Sequence, residues 1–304
     1  MRPGQLSLLL LMNFFWAAIY SANKVMGQTL PVGAIVTLRF GLAAVSLLVI
    51  WPWIKGACPR RRDLVVSAGI GILVFVVGQR LQVYGNNLGT AGNSSVLMAV
   101  EPLLTSLAAA LLLREKIGPR RLAGFLIALA GVAILAEVWR KDFQWASLGA
   151  SLIFLSSFVC EAIYSVMGKS VSQKASPLKM VAVSLAAGTV VNVMIDGRAT
   201  WHAAQKLAPS IWVLLLLMAV VCTALGYVVW FVVIRDCPIS VAALTIFAQS
   251  LFGVFIAAIW LREPLHFGQL WGGVAILAGL ALGLSRQIKT VPEERTVTNA
   301  SAPE

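Results

Sequence analysis

The sequence predicts an all-α integral membrane protein, with ten transmembrane helices forming two inverted five-helix repeats around a central cavity. Three observations lead there. First, the chain of 304 residues is 59% hydrophobic and 12% charged, with a mean hydropathy of +0.87. Soluble domains carry about 25% charge, so this composition cannot cover a surface that faces water. Second, Ser94–Glu115 (SSVLMAVEPLLTSLAAALLLRE) recurs without a gap, 148 residues later, as Ala242–Glu263 (AALTIFAQSLFGVFIAAIWLRE). Over Gly92–Leu135 against Ser240–Gly283, 12 of 44 positions are identical. Chance gives roughly one in ten in so Leu- and Ala-rich a composition. Third, the flanks differ in charge: Lys116, Arg120 and Arg121 follow the first copy, where the second has Pro264, Gly268 and Gln269. For two membrane helices, that contrast points to crossings in opposite directions.

A spanning helix takes roughly 20 mostly apolar residues. Charge clusters, Pro and Gly cut the chain into ten such segments: 5–26, 32–53, 64–85, 91–113, 121–138, 147–168, 178–195, 210–234, 239–261 and 268–285. The first begins almost at Met1, is too long for a signal-peptide core and lacks a convincing cleavage site, so it is expected to be retained. Only Asn86, Asn87 and Asn93 separate the third segment from the fourth, with no charged loop. Five spans per half is an odd number, so a duplicated unit must enter the membrane upside down the second time. The first helix of each half shares the duplication: Ala18-Ile19-Tyr20-Ser21 recurs as Ala162-Ile163-Tyr164-Ser165. The expected organisation is a first repeat over 1–138, a second over 139–286, and a disordered cytoplasmic tail over 287–304.

With the N-terminus inside, 16 Lys and Arg fall on the inner side and 6 on the outer, leaving Arg39 and Arg80 within spans. The positive-inside rule then places both termini in the cytoplasm. The excess of 24 Lys+Arg over 12 Asp+Glu faces anionic lipid headgroups on this reading, not nucleic acid. Cys58, Cys160, Cys222 and Cys237 stand singly, without metal or redox spacing, and read as small apolar helix residues. His202 and His266 fall in loops, and the sequence has no phosphate loop or HExxH. No catalysis, cofactor or metal is expected. Trp51, Trp53, Trp139, Trp145, Trp201 and Trp212 lie near span ends, as interfacial belt residues do.

Ionisable groups near the bilayer centre cost roughly 2.5–3.5 kcal/mol each on insertion scales, so they need a partner or a water-filled cavity. The deep ones are Arg39, Arg80, Glu101 and Glu161. By depth, Glu101 lies near the midplane and Arg39 can meet it more easily than Arg80 can. Pro102 after Glu101 frees a carbonyl and loosens that helix, as in the broken helices that line transport sites. The second-half equivalent of Glu101 is Gln249. The third span adds Gln79, Arg80 and Gln82, and two polar faces along it suggest an enclosed helix. The first span carries Asn13, Trp16, Tyr20 and Asn23 at helical spacing, and the sixth answers with Ser157, Glu161, Tyr164 and Ser165. Tyr227 and Trp230 in the eighth stand where the third has Gln79 and Gln82. Glu115 and Glu263, beside Arg114 and Arg262, read as structural residues of helix ends.

In order, Phe15-Trp16, Asn23-Lys24, Pro31, Leu38-Arg39-Phe40, Glu101-Pro102, Leu113-Arg114-Glu115 and Leu261-Arg262-Glu263 resemble the drug/metabolite transporter superfamily, specifically its EamA-type ten-helix exporters. The likeness covers the chain to about residue 285. It implies alternating access about a cavity lined mainly by the first, third, fourth, sixth, eighth and ninth helices, and a monomer. The second half departs from the pattern, with Cys160 for the Trp, Leu185 for the Arg and Ser250 for the Pro. The expected function is secondary active export of a small metabolite, an amino acid or related compound, across a bacterial inner membrane. Arg39 or Arg80 would attract a carboxylate, and Glu101 would meet an ammonium or carry a coupling proton. Trp16, Tyr20, Tyr227 and Trp230 would form aromatic walls, Gln79, Gln82 and Gln249 would supply hydrogen bonds, and Glu161 and Tyr164 are further substrate-binding candidates. A facilitative channel or uniporter, or a multidrug or cation exporter of the same family, stays open on the residues alone.

Overall fold

A computed structural model describes residues 2–88, 91–135, 148–262 and 267–284. The repeat boundary at 138/139, the tail over 287–304, Trp139, Trp145 and Glu263 lie outside the described residues. Every regular element among the described residues is a helix. In order these are α1 (Pro3–Met26), α2 (Val32–Ile50, extended by a 3₁₀ turn over Trp51–Trp53), α3 (Arg61–Leu88), α4 (91–113), α5 (Pro119–Leu135), α6 (Leu148–Ser172), α7 (Pro177–Ala204), α8 (Pro209–Asp236), α9 (Ile239–Trp260) and α10 (Phe267–Leu284). Seven of them, α1 to α3 and α6 to α9, contain runs long and apolar enough to cross a membrane. Pro3, Pro177 and Pro209 stand in the first turns of α1, α7 and α8, where the missing N–H would have had no helical acceptor anyway. α7 continues to Ala204, well past the end expected near 195.

The duplication is written in the irregularities of the backbone. α3 contains a π-helical stretch at Leu73–Gly78, and α8 one at Met218–Leu225. A 3₁₀ turn interrupts α4 at Met98–Val100 and α9 at Leu244–Ile246. Arg114 and Arg262, 148 residues apart, are the described non-glycine residues with positive φ, at 55° and 56°. α9 breaks without a proline, since Ser250 stands where α4 has Pro102. The break therefore does not depend on Pro102, contrary to what the sequence suggested.

Inversion can be read from which residues face each other. Along α2 and α7, Gly33 meets Asp196, Gly41 meets Thr189, and Gly56 beyond α2 meets Ser176 before α7. The equivalent helices of the two halves thus run antiparallel. α5 and α10 do the same: Gly124 abuts Gly279 and Gly283, whereas Gly131 abuts Gly272 and Ile276. Two copies related by a two-fold axis across the helices must show this; an axis along them would make the pairs parallel. A Cβ on Gly124 would lie 2.8 Å from the Gly279 carbonyl oxygen, so the contact is backbone against backbone. Small residues permit this approach where lipid supplies no hydrophobic drive to associate. Beside the α2–α7 pair, Phe40, Phe75, Tyr164, Phe231 and Met180 form a fully buried core, and Phe125, Phe247 and Ile276 form a second one beside α5–α10.

Candidate functional site

The polar residues of six helices converge because each carries them a turn apart on its inward side. α1 supplies Trp16 and Tyr20, α3 Gln79 and Gln82, α4 Glu101, α6 Glu161 and Ser165, α8 Tyr227 and Trp230, and α9 Gln249. Arg39 reaches the same cavity from α2, and Ile19, Met98 and Ile246 complete its wall. Of the twelve residues singled out from the sequence, ten line this one space. Arg80 and Tyr164 do not. Arg80 forms an ion pair with Asp196 and donates from Nε and a terminal nitrogen to Asn192 Oδ1, at 3.1 and 2.8 Å. It ties α3 to α7 away from the cavity. Tyr164 is fully buried behind the wall, edge-on to Phe75, Tyr227 and Phe231. α3 is less enclosed than its two polar faces suggested, because Tyr84 is 49% exposed.

Neither arginine meets Glu101. Arg39 is 2% exposed and donates from Nε to Thr223 Oγ1 at 2.8 Å and from a terminal nitrogen to Gln79 Oε1 at 3.4 Å. Gln79 passes the link on, its Nε2 donating to Glu161 Oε1 at 2.8 Å; the Tyr227 hydroxyl donates to the same oxygen at 2.9 Å. Arg39 and Glu161 are thus joined through one amide, across the two halves. Trp230 Nε1 donates to Ser165 Oγ at 3.1 Å, and Gln249 Nε2 to the Tyr20 hydroxyl at 3.1 Å. Glu101 lines the cavity with no hydrogen-bond or ion-pair partner among the described residues. It is the carboxylate the fold leaves available.

The irregular stretch of α8 explains how the wall is held. A π turn leaves carbonyls without their usual i+4 donor. Trp16 Nε1 takes the Cys222 carbonyl at 2.6 Å, and Thr223 Oγ1 donates to Met218 O at 2.8 Å while accepting from Arg39. In the other half the Phe75 carbonyl, within the α3 π stretch, accepts from Asn192 Nδ2 at 2.9 Å. Sequence reasoning missed Thr223, Cys222, Ile19, Met98 and Ile246. Two of these were findable: Met98 and Ile246 are equivalents in the duplication and stand three residues before Glu101 and Gln249, on the same helical face. Thr223 and Cys222 matter through a backbone distortion that no side-chain pattern announces.

One end of the cavity assembly is stitched by a second cluster. Glu115, just beyond α4, pairs with Lys169 Nζ at 3.0 Å. It accepts from the backbone N–H groups of Ile239 and Ser240 at 3.0 and 3.3 Å and from Ser240 Oγ at 2.9 Å. Lys169 also donates to Cys237 O at 2.8 Å. Burial alone would raise the Glu115 carboxyl, but the Ile239 N–H, the Lys169 ammonium and the Ser240 N–H together hold it below the ordinary carboxylate value. Glu115 therefore joins the end of α4 to the start of α9 and the end of α6, a contact between halves and more than a helix terminus.

Aromatic rings, amides and both signs of charge face this cavity, and no group of three metal-ligating side chains occurs among the described residues. The chain matches the model of the EamA-like transporter family twice, over residues 4–136 and 147–285. It is 25% identical over 272 residues to a probable terminal-alkyne amino-acid exporter of Streptantibioticus cattleyicolor, covering 88% of this chain and 89% of that one. It is 27% identical over 260 residues to a riboflavin transporter of Vibrio cholerae, covering 83% of each. A solved crystal structure superposes with a TM-score of 0.74 over 93% of this chain and 99% of the other, at 15% identity, which speaks to fold alone. Two family matches that take up nearly the whole chain, on a fold of two inverted halves about a polar cavity, make this a multi-pass membrane protein of the EamA-like transporter family and a transporter, not an enzyme.

Proposed function

We propose that the protein is a secondary active exporter of small amine-bearing metabolites, amino acids or related compounds, working by alternating access from a bacterial inner membrane with both termini in the cytoplasm. The observation that carries this reading is the unequal treatment of charge in the cavity. Arg39 and Glu161 are linked through Gln79, whereas Glu101 lines the same cavity as the aromatic side chains of α1 and α8 and has no partner among the described residues. An ammonium entering this space would meet Glu101, with the faces of Trp16, Tyr20, Tyr227 and Trp230 around it. A substrate carboxylate would reach Arg39, whose second terminal nitrogen has no partner among the described residues. Arg80 takes no part, since Asp196 and Asn192 occupy it.

Glu101 also supplies the coupling. A proton and a substrate ammonium compete for one carboxylate, so release of one on the outer side follows arrival of the other. The Glu115 cluster, on the side that carries Lys116, Arg120 and Arg121, closes the cytoplasmic end while the cavity serves the opposite side. The chain contains no nucleotide-binding motif, and the energy comes from the gradient.

The test is counterflow in proteoliposomes with three probes of one carbon skeleton: a free amino acid, its decarboxylated amine and its deaminated acid. The amino acid and the amine should exchange, and the deaminated acid should not. Exchange of the acid with no exchange of the amine would overturn the reading. Flux without acceleration by substrate on the far side would instead identify a channel.

A further inference from the structure

A groove outside the transport cavity runs between α2 and α7, with Leu48, Trp51, Pro52, Val183, Ala187 and Val190 along it. It is apolar, and it opens to the surroundings of the helices, where Val49 and Val190 are 62% and 59% exposed. What sits at its end is different in kind. After the turn at Trp51–Trp53 the chain folds back over the start of α7, with the Ser176 N–H donating to Ala57 O at 3.0 Å. This return brings Lys179 of α7 against Trp51, its Nζ 5.7 Å from the ring centroid.

Lys179 is only 8% exposed. Its Nζ donates to Gly56 O at 2.9 Å and contacts Cys58 Sγ at 3.3 Å, and no carboxylate pairs with it among the described residues. A buried ammonium that two neutral groups solvate still carries a full uncompensated charge. The same loop adds Lys55 and Arg60, and the first turn of α3 adds Arg61 and Arg62, all exposed, against the single Asp63. The first turn of α7, with its positive dipole end, points to the same place. An apolar channel that ends in clustered cations has one complementary occupant in a membrane.

We propose that this groove is a binding site for an anionic phospholipid, with an acyl chain along α2 and α7 and the phosphate against Lys179, the loop after α2 and the first turn of α3. The cations cluster at this end: at the other, the loop joining α7 to α8 offers Lys206, with Arg198 in the last turns of α7. The occupant would therefore bridge the two halves at their α2–α7 contact, on the leaflet that carries most of the basic loops. Free phosphate shares the headgroup chemistry but has nothing to place along the apolar walls.

The test is native mass spectrometry of the detergent-purified full-length protein, incubated with phosphatidylglycerol or with phosphatidylcholine of the same chains. Phosphatidylglycerol should be retained at about tenfold lower concentration, each nearby cation strengthening attraction to the anionic headgroup. R60Q/R61Q/R62Q, changed only at exposed positions, should lose most of that preference, and glycerol phosphate should not compete. K179R, which keeps the charge, should retain the preference, whereas K179Q should weaken it; thermal unfolding of each variant checks that it is folded. Ala187→Trp, which fills the groove, should lower retention of both lipids. Equal retention of the two lipids by the wild type would overturn the proposal, as would an unchanged preference in the folded triple variant. Competition by glycerol phosphate as strong as by phosphatidylglycerol would also overturn it, because the groove would then contribute nothing.

Discussion

The two halves share a backbone and disagree about side chains. Gly78 and Gly226, 148 residues apart, both face the first helix of the opposite half. A Cβ on Gly78 would lie 2.9 Å from Cys160 Cβ, and one on Gly226 would lie 2.6 Å from Trp16 Nε1. Trp16 and Cys160 are themselves equivalents, so the same contact is made by an indole in one half and a thiol in the other. Tyr20 and Tyr164 part in the same way: one lines the cavity and accepts from Gln249, the other packs behind it. Arg39 answers to Leu185, which is fully buried, and Glu101 answers to Gln249. The glycines, π stretches and left-handed caps hold the fold in duplicate. The charged and aromatic groups that line the cavity have stopped being duplicates.

The largest effect should come from breaking the shared backbone. Gly124→Leu drives a side chain into the Gly279 backbone and should cost about 3 kcal/mol, as severe overpacking does. Gly69, where a Cβ would have no atom within 4 Å, should accept Leu within about 0.5 kcal/mol. Thermal unfolding in one detergent compares them; equal losses would mean that the α5–α10 crossing has no special tightness.

Next comes removal of a divergent charge. Arg39→Leu copies the second half onto the first and leaves Glu161 without its linked cation. Substrate affinity should fall roughly 30-fold, the low end for truncating one partner of a buried charge pair. Arg80→Gln should leave affinity nearly unchanged and lower stability instead, since its partners lie outside the cavity. Equal affinity losses in both variants would contradict that separation.

How much of this was legible in the sequence follows the same division. The ten helical segments, the duplication and the inversion could be read from hydropathy and loop charge, because each is a property of composition along the chain. The cavity residues could be found as polar groups in apolar segments, which is how Glu101, Glu161 and Gln79 came to notice. Their partners could not. Depth along a helix favoured Arg39 with Glu101, but pairing depends on rotation and on the π stretch of α8, which turns Thr223 toward Arg39. Helical phase also placed Tyr164 with Tyr20, and only the packing of Phe75 and Phe231 separates them.

A subtler change probes the Trp16–Gly226 contact. Gly226→Ala should push the indole off the Cys222 carbonyl and lower affinity about tenfold, the worth of one buried hydrogen bond lost. Gly78→Ala should do less, because Cys160 makes no such bond. Adding Trp16→Cys to Gly226→Ala should relieve the clash without restoring affinity. A double variant that binds as the wild type does would remove Trp16 from the wall.

The smallest effect concerns Glu115. Its folded pKa is depressed, so its stabilising contribution is complete above the unfolded value of about 4.3 and fades as pH falls through the lower folded value. Glu115→Gln should therefore unfold at a lower temperature than the wild type near neutral pH, and the gap should narrow below about pH 4. A gap that stays constant with pH would show that the carboxylate charge is not what joins α4 to α9.

All of this converges on Glu101, the one cavity carboxylate without a partner among the described residues, as the group on which transport runs. Amino-acid flux in proteoliposomes, with and without a pH gradient, for the wild type and Glu101→Gln side by side, decides whether it does. The wild type should move substrate against its gradient when protons flow the other way, and the variant should lose all response to the pH gradient. A variant that responds to the pH gradient as the wild type does would take the coupling away from Glu101.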